Sequence, residues 1–272
     1  MRQLLTHLVL ILACMAAMYP VLWVVKMALT PAQAFSMSGN PLPSTISFDN
    51  FAHIFALGAG LFWRQLFNSV VIAGVTTILG VVLACTAAYA FSRFRFPGRQ
   101  LGLAAFLITQ MFPGVVMAIP LYILLDELGL LNSLSGLVLV YSTSAIPFCV
   151  WTLKGYFDTI PRDLEEAAIM DGASQWTIFT RIILPLARPA IVVTALFSFM
   201  TAWNEFILAA TFLNDEKQFT LPVMLQRFVG DYSTQWGYFA AGAILVSIPV
   251  MALFFRLQRH LIGGLTAGGV KG

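Results

Sequence analysis

The chain has 272 residues, 59% of them hydrophobic and only 10% charged, with a mean hydropathy of +0.85. A soluble domain is nearer half apolar and a quarter charged, so this much apolar surface requires lipid as its solvent. The net charge of +3, with no basic run, gives no footprint for nucleic acid, and Cys14, Cys85 and Cys149 stand far apart without a CxxC pair. They exclude a disulfide framework or metal clip and read as buried, inert thiols.

Taken in chain order, the first apolar stretch runs from about Leu8 to Leu29. It reads as an uncleaved span, because it is longer than a signal-peptide core and no convincing cleavage site follows "ACMAAMYP". A loop to about Gln65 contains "PLPSTISFDNF", which reads as ordered with a short helix. The second span covers about Asn68 to Phe91, where Ala84, Ala87, Ala88 and Ala90 suit close helix approach. The third covers about Leu101 to Leu125 and contains Pro113 and Pro120. A short "DELGLLNSLS" turn leads to the fourth, about Gly136 to Phe157, with Pro147 inside it. Bundled membrane helices tolerate such prolines because neighbours satisfy the freed backbone. A polar connection from 158 to 189 precedes the fifth span, about Ala190 to Leu213. A loop from Asn214 to Gly237 precedes the sixth, about Tyr238 to Leu257, and a tail occupies 258 to 272. The fold class is therefore all-α: a polytopic membrane protein with six transmembrane helices in one domain, residues 1–272.

Lys and Arg set the orientation. With the N-terminus inside, Arg2, Arg93, Arg95, Arg99, Lys154, Arg162, Arg181, Arg188, Arg256, Arg259 and Lys271 all fall on the cytoplasmic side. Only Lys26, Arg64, Lys217 and Arg227 fall outside, so both termini are expected in the cytoplasm. Trp63 and Trp236 then lie near the outer interface, as aromatic belts do.

No GxxxxGK[ST], HExxH or GxSxG occurs, and His7, His53 and His260 are scattered at segment ends. The chain is expected to be non-catalytic, with no cofactor of its own. A proton-driven carrier usually shows several ionisable residues within its spans. Here the main candidate is Glu205, beside Asn204 in "TAWNEFIL". These two residues either line or gate a translocation path, or they bond backbone near a helix break.

The polar connection contains "RDLEEAAIMDGASQW", Arg162 to Trp176, with four acids in an otherwise apolar chain. Pro161 interrupts the fourth span's continuation. Asp163 stands three residues before Glu166, the capping-box spacing, and acids in a first turn suit the helix dipole. Leu164, Ala167 and Ala168 share a face. Gly172 after Asp171 is a C-terminal stop, and Ser174 can cap a second helix, "QWTIFTRIIL", ended by Pro185. The expectation is helix, glycine joint, helix. It serves either as a solvated loop or as a docking face whose charges set the register. A capping box would occupy Glu166 and leave Glu165 for a partner; without it, either could make the contact.

The run Glu166-Ala167-Ala168, then Gly172, then nine residues before Ile182, Leu184 and Pro185, resembles the EAA loop of ABC importer membrane subunits. "AYAFSRFRFPG", "MFPGVVMAIPLY", "AWNEFILA" and the terminal "GLTAGGVKG" are similar to the MalG-like permeases of maltose and malto-oligosaccharide importers. The resemblance covers essentially the whole chain.

That resemblance implies the permease of an ATP-driven, binding-protein-dependent sugar importer in the bacterial inner membrane, forming half of the path by alternating access. It implies four kinds of partner: a MalF-like second permease, two copies of an ABC ATPase carrying ATP and Mg, an extracytoplasmic sugar-binding protein and the sugar. Glu165, Glu166, Ala167, Ala168, Asp171 and Gly172 would then form the ATPase-coupling helix. The tail Ala267, Gly268, Gly269, Val270, Lys271 and Gly272, a frayed terminus by composition alone, would reach the ATPase interface. The loop Asn214 to Gly237 would meet the binding protein or pack on its own subunit. An importer of another disaccharide such as trehalose, and an ion-coupled secondary sugar carrier, are the alternatives.

Overall fold

In lipid every backbone N–H and C=O must find its partner within the segment, so long apolar runs fold as helices. The computed structural model describes residues 2–35, 40–43, 45–230 and 233–269, and these are helical almost throughout. A single bridge between Val229 and Thr234 is the sole extended pairing among them. In chain order the helices are α1 (Arg2–Leu29), α2 (Asp49–Phe55), α3 (Leu61–Arg93), α4 (Arg99–Met111), α5 (Gly114–Glu127), α6 (Leu134–Phe157) and α7 (Asp163–Met170). They continue as α8 (Gln175–Ile178), α9 (Leu184–Leu186), α10 (Arg188–Asn204), α11 (Ile207–Phe212), α12 (Leu221–Gln226) and α13 (Trp236–Gly269). Among the described residues α1, α3, α6 and α13 are each long and apolar enough to cross a membrane. Two bent pairs bring the number to six if each pair is one span.

The chain divides into two compact units, one of residues 1–66 with 219–250 and one of 67–218 with 251–272. In the first, the expected ordered loop is held by buried Asn50 of α2. Its Nδ2 donates to the carbonyls of Ala28 (2.9 Å) and Thr30 (2.8 Å), satisfying the end of α1. Gln33 Nε2 donates to Asn50 Oδ1 (2.8 Å), and Gln33 Oε1 accepts from the Tyr238 N–H (3.1 Å) at the start of α13. His53 and Tyr238 stack with ring centroids 4.0 Å apart. Cys14 lies on the exposed surface of α1 rather than buried, whereas Cys85 and Cys149 of the second unit are buried as expected.

In the second unit α3, α6 and α10 pack around small residues. Ala84 and Ala88 of α3 are fully buried, against Cys149, Val150 and Leu153 of α6. The third expected span is two helices rather than one: α4 and α5 meet at 101°. Phe112, ahead of Pro113, is extended (φ −78°, ψ 126°), as pre-proline sterics favour, and Pro113 has no N–H to continue the ladder. The fifth is also interrupted, at Glu205 and Phe206. Pro120, Pro147 and Pro249 sit inside continuous helices. In α6 the Ser133 cap receives the Gly136 N–H (3.1 Å), where a Cβ would lie 2.2 Å from the Leu130 carbonyl.

Candidate functional site

The connection from α6 to α10 contains the acidic segment. The N–H groups of Glu165 and Glu166 both donate to the Arg162 carbonyl, at 2.8 and 3.0 Å. Arg162 already has helical angles (φ −68°, ψ −26°), and no side chain caps α7. The expected capping box is therefore not formed: the helix begins one residue early, and Asp163 falls inside the first turn. There Asp163, Glu165 and Glu166 still face the positive end of the helix dipole.

The glycine joint forms as expected. Gly172 has φ +80°, its N–H donates to the Ile169 carbonyl and the Ala173 N–H to the Ala168 carbonyl, both at 2.9 Å. This is a Schellman closure, and glycine takes that backbone conformation without a Cβ penalty. Ser174 Oγ then accepts the Thr177 N–H (3.2 Å) and caps α8. The second helix does not stop at Pro185. It widens into a π turn at Phe179–Ile183 and continues through Leu186, then bends by 74° into α10. Pro185 cannot donate to the Arg181 carbonyl and its ring would crowd it, and the wider turn lies where that conflict would fall.

Glu165 is the acid turned inward, 8% exposed. Arg93, the last residue of α3, donates from Nε to Glu165 Oε1, from Nη2 to the Ile160 carbonyl (3.0 Å) and from Nη1 to Ser92 Oγ (3.0 Å). Tyr89 Oη donates to Glu165 Oε2 (3.1 Å) and lies 3.2 Å from Gln175 Oε1. Ser92 Oγ donates to Asp158 Oδ1 (2.6 Å), and Lys154 Nζ donates to Asp158 Oδ2 (2.5 Å). Partial burial would raise the Asp158 pKa. The hydrogen bonds from Lys154 and Ser92, with the charges of Lys154 and Arg93, outweigh that and hold it below its ordinary value. Beneath this network Ala168, Ile178, Phe179 and Ile183 are buried in the same core as Tyr89, Leu153 and Phe157. Tyr89 and Phe179 have ring centroids 4.9 Å apart.

The opposite face of α7 is open. Glu166, Ala167, Asp171 and Gly172 are exposed, whereas Ala168 is not. The face expected of Leu164, Ala167 and Ala168 is split, with Leu164 and Ala167 exposed and Ala168 buried, and the sequence reasoning missed the other apolar residues here: Ile169, Met170 (86% exposed) and Trp176 (68%). Large apolar side chains in a polar connection were the available signal. Arg93 and Tyr89 were missed as well, and nothing local marks them, since they lie 72 and 76 residues from Glu165.

Asn204 and Glu205 occupy a separate place. Asn204 ends α10 and is exposed. Glu205 is extended (φ −69°, ψ 127°), and its carboxylate turns back onto the next helix. Oε1 accepts the Leu208 N–H (2.8 Å), and Oε2 accepts the Ala209 N–H (3.1 Å) and the Tyr141 hydroxyl (2.5 Å). Glu205 thus bonds backbone at the helix break, which is one of its two readings. In the tail, α13 extends past the expected end at 257, and Ala267, Gly268 and Gly269 continue its backbone. Val270, Lys271 and Gly272 lie outside the described residues.

An all-helical, multi-pass chain with a polar helix–turn–helix between two spans has the build of a membrane permease component. Residues 77–266 match the family described as binding-protein-dependent transport system inner membrane component, and the chain belongs to that family. It is a non-catalytic permease subunit. It is 40% identical over 258 residues to the trehalose transport system permease protein SugB of Mycobacterium tuberculosis, covering 94% of this chain and 93% of that one. It is also 40% identical over 292 residues to the maltose/maltodextrin transport system permease protein MalG of Escherichia coli, covering 100% and 96%. The galactooligosaccharides transport system permease protein GanQ of Bacillus subtilis is 39% identical over 273 residues, covering 100% and 96%. The fold matches a chain of a bacterial ABC transporter that imports the acidic polysaccharide alginate, with a TM-score of 0.77 over 94% of this chain and 95% of that one, at 23% identity.

Proposed function

We propose that the chain is one of two membrane subunits of an ATP-driven sugar importer, and that its cargo is maltose or a malto-oligosaccharide. Full-length similarity to MalG supports the cargo, and similarity to SugB and GanQ supports sugar import more generally. In this reading α7 and the Gly172 turn form the coupling helix, seated in a cleft of one of two ATPase copies that carry ATP and Mg. The second permease completes the path, and an extracytoplasmic binding protein delivers the sugar. Both termini face the cytoplasm of a bacterium, following the Lys and Arg bias.

The observation that carries this reading is the division of labour on α7. Glu165 and Ala168 face inward, which leaves Glu166, Ala167 and Asp171 around the exposed Met170 and Trp176. An apolar centre with a charged rim is the anatomy of a protein interface. Glu166 meets a basic side chain of the ATPase, and Met170 fills its cleft. The tail from Ala267 to Gly272 supplies a second, weaker ATPase contact. Asn204 and Glu205 act in gating rather than in sugar binding.

The test is the reconstituted importer with Glu166→Lys. Sugar-stimulated ATP hydrolysis and uptake should both fall by at least tenfold, as a like-charge contact of about 1.4 kcal/mol would give, while membrane insertion is unchanged. Wild-type rates would end the coupling assignment. Trehalose is the second reading, favoured by the equal identity to SugB. Titrating the cognate binding protein with maltose, maltotriose, trehalose and a galacto-oligosaccharide separates the cargoes, and tight binding of any one names it.

A further inference from the structure

The break at Glu205 encloses a cavity of about 60 Å³, lined by Thr76 of α3, Tyr141 and Ser144 of α6, and Ser198, Thr201 and Glu205 at the end of α10, among others. Its polar lining is a carboxylate with several hydroxyls, of which Thr76 Oγ1 and Ser198 Oγ are both buried without a hydrogen-bond partner. The Tyr141 hydroxyl spends its hydrogen on Glu205, and the Thr201 hydroxyl spends its own on the Phe197 carbonyl (2.9 Å). Both therefore offer the cavity lone pairs only. Glu205 accepts three hydrogen bonds and has about four acceptor sites, so one remains. Thr76 is fully buried, and its Oγ1 has no hydrogen-bond partner. A buried hydroxyl in that position is destabilising unless something in the cavity meets it.

We propose that this cavity is a binding site for a monovalent cation of about sodium's size, held by the Glu205 carboxylate and the hydroxyl oxygens of Thr76, Tyr141 and Thr201. Three considerations select that ligand. The lining carries a formal negative charge and hydroxyl oxygens, and no basic side chain lines it. That combination favours an electropositive guest, and a carboxylate within a membrane span calls for a functional partner. One carboxylate is too little charge for calcium, which takes six to eight oxygens with several carboxylates among them, and magnesium demands a strict octahedron. The volume exceeds the ~10–15 Å³ that a single water needs, so the cavity has room for an ion with water. Because its ligands come from α3, α6 and the end of α10, the cation ties three helices at the point where α10 is interrupted. It gives the gating role of Glu205 a chemical basis, and it stands whichever sugar is carried.

The experiment uses the complete importer in lipid nanodiscs, melted in sodium chloride and in choline chloride at equal ionic strength and fixed pH. Sodium should raise Tm by about 2–4 °C over choline, with saturation. Thr76→Val keeps the side-chain volume and removes only the hydroxyl, and it should abolish the sodium-dependent part. Glu205→Gln should do the same. Equal melting of the wild type in both salts overturns the proposal. An undiminished sodium shift in Thr76→Val also overturns it, because that shift would then belong to another site. Loss of the sodium shift with retained assembly in Thr76→Val upholds it, even if Glu205→Gln fails to assemble.

Discussion

Glu165 at the α7 turn and Glu205 at the α10 break are both carboxylates drawn into the fold, yet they are satisfied by opposite means. Glu165 meets a guanidinium and a phenol, so its charge is cancelled by a charge. Glu205 meets two backbone N–H groups and a phenol, so its charge is spread over dipoles and remains formally unbalanced. A charge pair fixes two helices to each other and closes the site. A carboxylate held by dipoles caps a helix and leaves the site able to accept something more.

The largest effect tests the first half of that contrast. Glu165→Ala strands Arg93 beside the Ile160 carbonyl with its counter-charge gone, and should cost about 3–5 kcal/mol in thermal unfolding of the assembled protein. Glu166→Ala, exposed on this chain, should cost less than about 0.5 kcal/mol when the permease is melted without its ATPase. Equal losses would break the distinction between the inward and outward acids. Next comes Tyr141→Phe, which removes an O–H donor to the Glu205 carboxylate, worth about 1.5–3 kcal/mol, and should leave ATP hydrolysis less tightly tied to uptake. Ser174→Ala should lose about 1 kcal/mol through the α8 cap alone, with the Glu165–Arg93 pair intact. The smallest effect is in pH. The depressed pKa of Asp158 contributes stability that is fully present above the ordinary carboxyl value of 3.8 and is lost as pH falls through the lower folded value. Asp158→Asn should flatten the acid limb of a stability-against-pH curve and change little at neutrality.

What the sequence disclosed was the local part. Hydropathy located the helices, Gly172 after Asp171 marked the joint, and Ser174 marked the cap, because each acts within four residues of itself. The breaks were less legible. Pro113 and Pro185 were visible, but one produced a 101° bend and the other a π turn followed by continued helix. The choice depends on whether packing holds the chain straight. Least legible was which glutamate turns inward. The spacing pointed Glu166 back to Asp163, whereas the outcome depended on Arg93 at the end of another span. Long-range ion pairs of this kind leave no periodic trace.

Tyr89 touches both arms of the Gly172 turn: Glu165 on α7, then Gln175 on α8 and the Phe179 ring just beyond it. One phenol on α3 therefore braces a two-armed strut. Both arms of the glycine joint bear on the same residue near the end of α3. That helix also carries Thr76, roughly three to four turns away along its axis, so the strut and the cavity at Glu205 share one shaft.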